Sequence, residues 1–418
     1  MRLVLRGLSA LLLAASARAQ TAKPAPTAPD PKAIAGMIEK GQLGPAEQQL
    51  RRILAQGGSP VAHDLLGVVL AAQGRGEEAE REFKQALAAN PALLDGRQHL
   101  ARLYLAQKRE AEAAAELRRA ARLGPLERDL ALRLAGVERA EGNPVLAERQ
   151  LRSVADRFKS VQALLQLARL QADQKNAAGA LASLRKARAI APNSEDVLSA
   201  YAEGLLASPA PDSAIPVLDA LTRLCPTVAR YHYLQGVALM GAGDAAAAAV
   251  SLQEAARLEP DQPPTLIALG KALNRRQLYS EAKPHLLRGL SLAPDSVEAV
   301  ATLAEAEEGL GEMKDAEDHA RRALARSGTD ATANLVIAMV LMKQDRFAEA
   351  RDALLKAALA DPASSKADYQ LSLAYARLSD PVSSQKHLAL YHQKVKEREE
   401  RVKQVRRVTG FSMGGMQP

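Results

Sequence analysis

Residues 63–91 read HDLLGVVLAAQGRGEEAEREFKQALAANP. Leu66, Gly67 and Leu70 share one helical face before Gly74, and Ala79, Phe83 and Ala86 share another after it. A glycine between two such faces breaks the helix. Pro91 ends the second one, because the residue before a proline is pushed out of the helical region. Small residues at Gly67 and Ala79 let two rods approach closely. The stretch is a helical hairpin, and everything around it repeats the pattern.

The repeat is 34 residues, with a single step of 33, counted from Pro60, Leu94, Arg128, Val161, Glu195, Ala229, Pro263, Val297, Ala331 and Ser365. The twentieth position is Ala79, Ala113, Ala147, Ala180, Ala214, Ala248, Ala282, Ala316 and Ala350, with Ser384 closing the column. Position 8 is always small, from Gly67 to Ser372. Position 24 is large and apolar, as at Phe83, Leu117, Leu151, Leu184, Leu218, Leu252 and Leu286. Proline stands at position 32 in Pro91, Pro125, Pro192, Pro226, Pro260, Pro294 and Pro362. Ser194, Ser296 and Asp330 are placed to cap the following helices. One hairpin cannot cover its own apolar face, so the units must stack.

This pattern resembles the tetratricopeptide repeat family over roughly residues 60–395. The family's frequent tryptophan near position 4 is replaced by His63, Leu164, Leu198, His232 and Leu266. The resemblance implies an all-α fold, a right-handed superhelical α-solenoid of about ten to eleven helix-turn-helix repeats. It also implies a non-enzymatic scaffold whose first helices line a concave groove for a peptide or a partner's helix, reached from positions 5, 9, 12 and 13. Mapped onto this chain, those positions give a basic track of Gln98, Arg102, Arg139 and Arg169. A second stretch holds Tyr233, Met240, Lys271, Asn274 and Arg275, and a third Met339, Met342, Lys343, Tyr369 and Arg377. Glu203, Glu305 and Glu308 interrupt the basic character. No repeat carries the lysine and asparagine at positions 5 and 9 with which chaperone-binding members of the family hold an acidic tail.

The ends differ from the body. Arg2 and Arg6, a short apolar run and Ala17-Arg18-Ala19 read as an export signal over residues 1–19. It implies a bacterial periplasmic or secreted protein. Residues 20–31 form a proline-rich linker, and 32–59 a degenerate helix pair capping the first repeat. Ten repeats fill 60–395, and a basic helix with a frayed tail occupies 396–418. The chain carries +8 formally, of which +5 remains once Arg2, Arg6 and Arg18 are removed, and the segment from Lys386 onward carries +5 by itself. A body near neutrality excludes a nucleic-acid binder. That last helix is read as a solvating cap, with a partner or an anionic membrane surface as its second use. No transmembrane segment is expected after signal removal.

Chemistry is sparse. Glycines fall singly at repeat turns, so no phosphate loop forms, and the nucleophile-elbow and zinc-protease motifs are missing. His285, His319 and His387 share position 23, but successive hairpins hold equivalent side chains too far apart for one metal ion. Cys225 has no cysteine to pair with and reads as an inert thiol. No cofactor is implied. The function expected is protein–protein scaffolding in cell-envelope assembly or export, with an accessory module of polysaccharide export as the alternative and an enzyme behind both.

Overall fold

The computed structural model describes residues 31–57 and 59–409, and the described residues form helices without a strand. They divide into two compact units, one ending at Asp173 and one beginning at Gln174. The expected export signal, all of the linker but its last residue, and the frayed end lie outside the described residues.

In the first unit the helices are α1 (Pro31–Glu39), α2 (Leu43–Ala55), α3 (Pro60–Ala72), α4 (Gly76–Ala89), α5 (Leu94–Ala106), α6 (Glu110–Leu123), α7 (Arg128–Ala140), α8 (Pro144–Phe158) and α9 (Val161–Asp173). The second holds α10 (Ala177–Ile190), α11 (Glu195–Leu206), α12 (Ile215–Leu224), α13 (Ala229–Ala242), α14 (Ala245–Leu258) and α15 (Pro263–Arg275). It continues through α16 (Tyr279–Leu292), α17 (Val297–Leu310), α18 (Met313–Arg326), α19 (Ala331–Lys343), α20 (Phe347–Ala360), α21 (Ser365–Arg377) and the long α22 (Pro381–Thr409). Within each unit consecutive helices pack as hairpins, and first helices also touch the next first helix, as α3 does α5 and α15 does α17.

The small-residue columns explain this packing. Every alanine of the position-20 column is buried, and so are the large residues four places on, from Phe83 to Leu286. A Cβ added at Gly67 would lie 2.6 Å from the Phe83 ring, so the glycine is the space the ring occupies. Gly74, Gly142, Gly243 and Gly311 adopt positive φ at the turns, a conformation that costs glycine nothing.

Two local expectations need correction. Ser296 and Asp330 accept from the Ala299 and Ala333 amides at 3.1 and 2.8 Å, but Ser194 makes no side-chain cap. Ala214 belongs to a 3-10 turn, Pro211–Ala214, and not to the second α-helix of its repeat. Proline at Pro211 and again at Pro216 favours a fresh helix start there, because the missing amide is unneeded in a first turn.

Candidate binding grooves

In the first unit the first helices carry the basic track, and half of it is engaged within the chain. Gln98 is buried, its Oε1 accepting from the Glu127 amide at 2.8 Å. Arg102 donates to both Glu127 oxygens at 2.9 and 2.6 Å and reaches Asp129 at 3.2 Å. Burial pulls the Arg102 guanidinium down, and its two carboxylates more than reverse that. Arg139 and Arg169 are exposed. Beneath the track, His99 Nδ1 lies 3.0 Å from the buried Asp64. Burial opposes its proton, yet Asp64 wins and the imidazole is shifted upward. Half of the first unit's track is thus satisfied within the chain.

The hairpin turns of this unit carry a second network at repeat position 16. Arg75 bridges Glu47 at 2.9 Å and Glu78, and Arg109 bridges Glu80 and Glu112, each at 2.6 Å. Hydrogen bonds from Gln73, Arg75 and Arg51 bring the Glu47 carboxyl down to about 2 against the cost of burial. Arg109, Lys84 and Tyr104 do the same for Glu80, also to about 2.

In the second unit the first helices and α22 surround a cavity of about 1150 Å³. Met240, Lys271, Asn274 and Arg275 of the second expected stretch line it, and of the third only Tyr369 does. The lining does not include Tyr233, Met339 or Met342, which are half-buried. Lys271 Nζ sits 2.8 Å from Glu298, and Lys366 Nζ 3.3 Å from Glu305 and 4.0 Å from Glu308. Burial works against the Lys366 ammonium, but those carboxylates hold its pKa above the ordinary value. Arg275 is exposed, with Nη1 3.3 Å from the Met240 carbonyl. Asn274 is buried. Its Nδ2 donates to the Thr302 carbonyl at 2.9 Å, while Oδ1 has no hydrogen-bond partner. An orphan acceptor on a cavity wall is unfavourable unless something donates to it. Tyr369 and Tyr391 both line the cavity and contact each other, with ring centroids 5.2 Å apart and ring planes tilted by 48°.

The contribution of α22 was not readable in the repeat columns. Its first half packs on α21, with Asp368 taking His387 at 2.9 Å and Lys394, and with Ser384 Oγ donating to the Ser372 carbonyl. Its second half pairs two of its cations with earlier hairpins: Arg406 meets Asp244 at 2.6 Å and Arg401 meets Asp212 at 3.7 Å. A helix expected to cap the last hairpin therefore also forms a groove wall. Lys366 was equally missed: it stands at position 2 of its repeat, from which Asp129 and Glu298 reach the preceding hairpin, but it reaches past that hairpin to Glu305.

The remaining polar groups are structural. Cys225 is half-buried, and burial and Glu195 push its thiol up, away from the reactive thiolate. His63 and His319 each sit 2.7 Å from a glutamate, Glu82 and Glu307. Among the described residues no three His, Cys, Asp or Glu side chains gather as a metal site, and no helix is long and apolar enough to cross a membrane.

Tetratricopeptide repeat models match residues 38–93, 65–128, 204–263 and 335–384, and a further one residues 239–307. The chain is a tetratricopeptide repeat protein. Among solved structures it is similar to a tetratricopeptide repeat protein from Parabacteroides merdae, 15% identical over 59% of this chain and 98% of that one, with a TM-score of 0.45. MamA protein matches at 21% identity over 40% of this chain and 92% of its own, TM-score 0.38. Yeast Tom70 matches at 14% identity over 91% and 94%, TM-score 0.38. No curated protein matches the chain. Tetratricopeptide repeats are scaffolds for protein–protein contacts.

Proposed function

We propose that this tetratricopeptide repeat protein is an exported scaffold of the bacterial cell envelope, acting in assembly or export, and that the second unit's groove holds a peptide or helix of a partner protein. The observation that carries the groove assignment is the cavity of about 1150 Å³ lined by Lys271, Arg275, Tyr369 and Tyr391, the first three at repeat positions 9, 13 and 5 of their first helices. The tyrosine pair gives a bound segment an apolar surface with polar tips. Lys271 and Lys366 are already matched by carboxylates, so selection falls to the tyrosine pair and to shape. Export rests on residues 1–19.

The test is capture by the tagged full chain of its partners from cells in three forms: wild type, Tyr369→Ala, and Leu359→Ser as a control on a residue that is 83% exposed and does not line the cavity. The groove variant is expected to lose a partner that the control keeps. Equal recovery in all three removes the groove. Fractionation of chains with and without residues 1–19 tests export separately, and identical distributions remove that part.

A further inference from the structure

The two halves of α22 are held differently. Up to Lys394 the helix is bound by a buried carboxylate, a serine hydrogen bond and a ring stack of Tyr375 on His387 at 5.6 Å. Beyond it the helix crosses to α12 and α13. Two arginine–aspartate pairs hold it there, with Val405 buried and Val402 half-buried. Arg401 and Arg406 remain 58% and 41% exposed, so both pairs are open to water and salt.

The seat is built for a helix. Tyr391, Lys394, Arg398, Arg401, Val402 and Val405 fall on one face of α22. Opposite them Gly243 ends α13 at φ +91, and a Cβ there would lie 2.6 Å from Arg398 Cγ. The glycine therefore serves both the turn and the close approach of the crossing helix. Asp244 caps α14 through the Ala247 amide at 3.2 Å while receiving Arg406, and its side chain is only 3% exposed. Lifting the distal half of α22 leaves Asp212 and Asp244 without their cations and opens one wall of the cavity.

From this we infer that residues 397–409 are the chain's own occupant of a helix-binding seat, and that the groove's partner is a basic amphipathic helix of similar charge spacing that displaces them. The inference rests on the groove reading above, and specifies both the partner's chemistry and the contact it must break. An internal occupant lowers apparent affinity by the fraction of molecules in which the seat is free. Removing its anchors therefore strengthens capture.

The probe is a fluorescein-labelled synthetic peptide of residues 386–409, titrated into the full chain and followed by anisotropy. Full-length Arg401→Glu with Arg406→Glu is expected to bind it about tenfold more tightly than wild type, as for a seat freed from a tenth-populated to a fully open state. Arg401→Gln with Arg406→Gln gives the same direction if the charge reversal misfolds. Adding Asp212→Asn to either variant weakens the peptide, and raising salt weakens it further. Equal affinity for wild type and both variants, or indifference to Asp212→Asn, overturns the proposal. Loss of a cellular partner in Tyr369→Ala alongside no gain from the arginine variants retains the groove and rejects the strap. Peptide gain with unchanged partners does the reverse.

Discussion

The two units solve the same packing problem and leave different surfaces. In the first, charge closes between neighbouring hairpins: Arg102 is spent on Glu127 and Asp129, and Arg75 and Arg109 clamp the turns. In the second the same registers recur, at times with the signs exchanged. Glu80 reaches forward to Arg109, and 29 residues apart in the same register Lys283 meets Glu312. Arg102 reaches forward to Asp129, whereas Glu203 meets Arg230 across the same 27-residue step. Geometry is therefore kept while charge varies. What distinguishes the second unit is a cavity with a basic helix folded over it, since buried acceptors without a partner occur in both units, at Gln49 and Glu138 as at Asn274.

The comparison breaks most visibly in the cores. Phe83→Ala should cost about 3–5 kcal/mol through lost burial and the cavity left behind. Because repeat arrays couple chiefly to nearest neighbours, hydrogen exchange should accelerate in α3–α6 and leave α17–α20 unchanged. Uniform acceleration would contradict local stacking. Ala248→Leu should cost about 1–3 kcal/mol by overpacking the alanine column of the second unit. An unchanged melting temperature there would contradict the register.

Exchanging single charges sharpens the contrast between faces. Arg102→Glu should destabilise by about 1–3 kcal/mol, since it leaves Glu127 unmatched in a partly buried site. Arg275→Glu should stay within about 0.5 kcal/mol on a thermal melt, as exposed substitutions do, and act on partner capture instead. Comparable melting shifts for the two would erase the distinction between a sealed and an open face.

Acid gives the smallest effect and opposite signs. Glu47 and Glu80 sit at about 2 when folded, against an ordinary 4.5, so their contribution is full above that ordinary value and is lost as pH falls through about 2. At Glu307 burial raises the carboxyl despite the opposing pull of His319 and Lys283, so protonation there relieves a cost. Amide exchange between pH 5 and 2 should rise first in the turns of α2–α6, and an earlier rise in α17–α18 would contradict this assignment.

The hairpins and their columns were legible because period and side-chain volume are local properties of the sequence. Ala248, Leu252 and Gly236 declare a close helix pair without any knowledge of neighbours. The Ser194 end was not legible, because a capping residue type does not fix the rotamer that makes the bond. Gln98 and Asn274 were placed on the groove by position; both are buried, and hydrogen bonding separates them, since the Gln98 oxygen is satisfied by the Glu127 amide and the Asn274 oxygen has no partner. The fold-back of α22 was invisible to any column. Arg406 and Asp244 stand 162 residues apart, and only the path of the intervening hairpins brings them together. Charge pairing at 27 and 29 residues, by contrast, could have been read by scanning opposite signs at near-repeat offsets.

The most direct measurement is site-specific photocrosslinking in the full chain, with a benzophenone amino acid placed in turn at Tyr369, Arg102 and Leu359. A groove that is open in the second unit and sealed in the first predicts one defined protein adduct at position 369 and none at 102 or 359. Adducts of equal yield at all three positions, or an adduct confined to position 102, would contradict it.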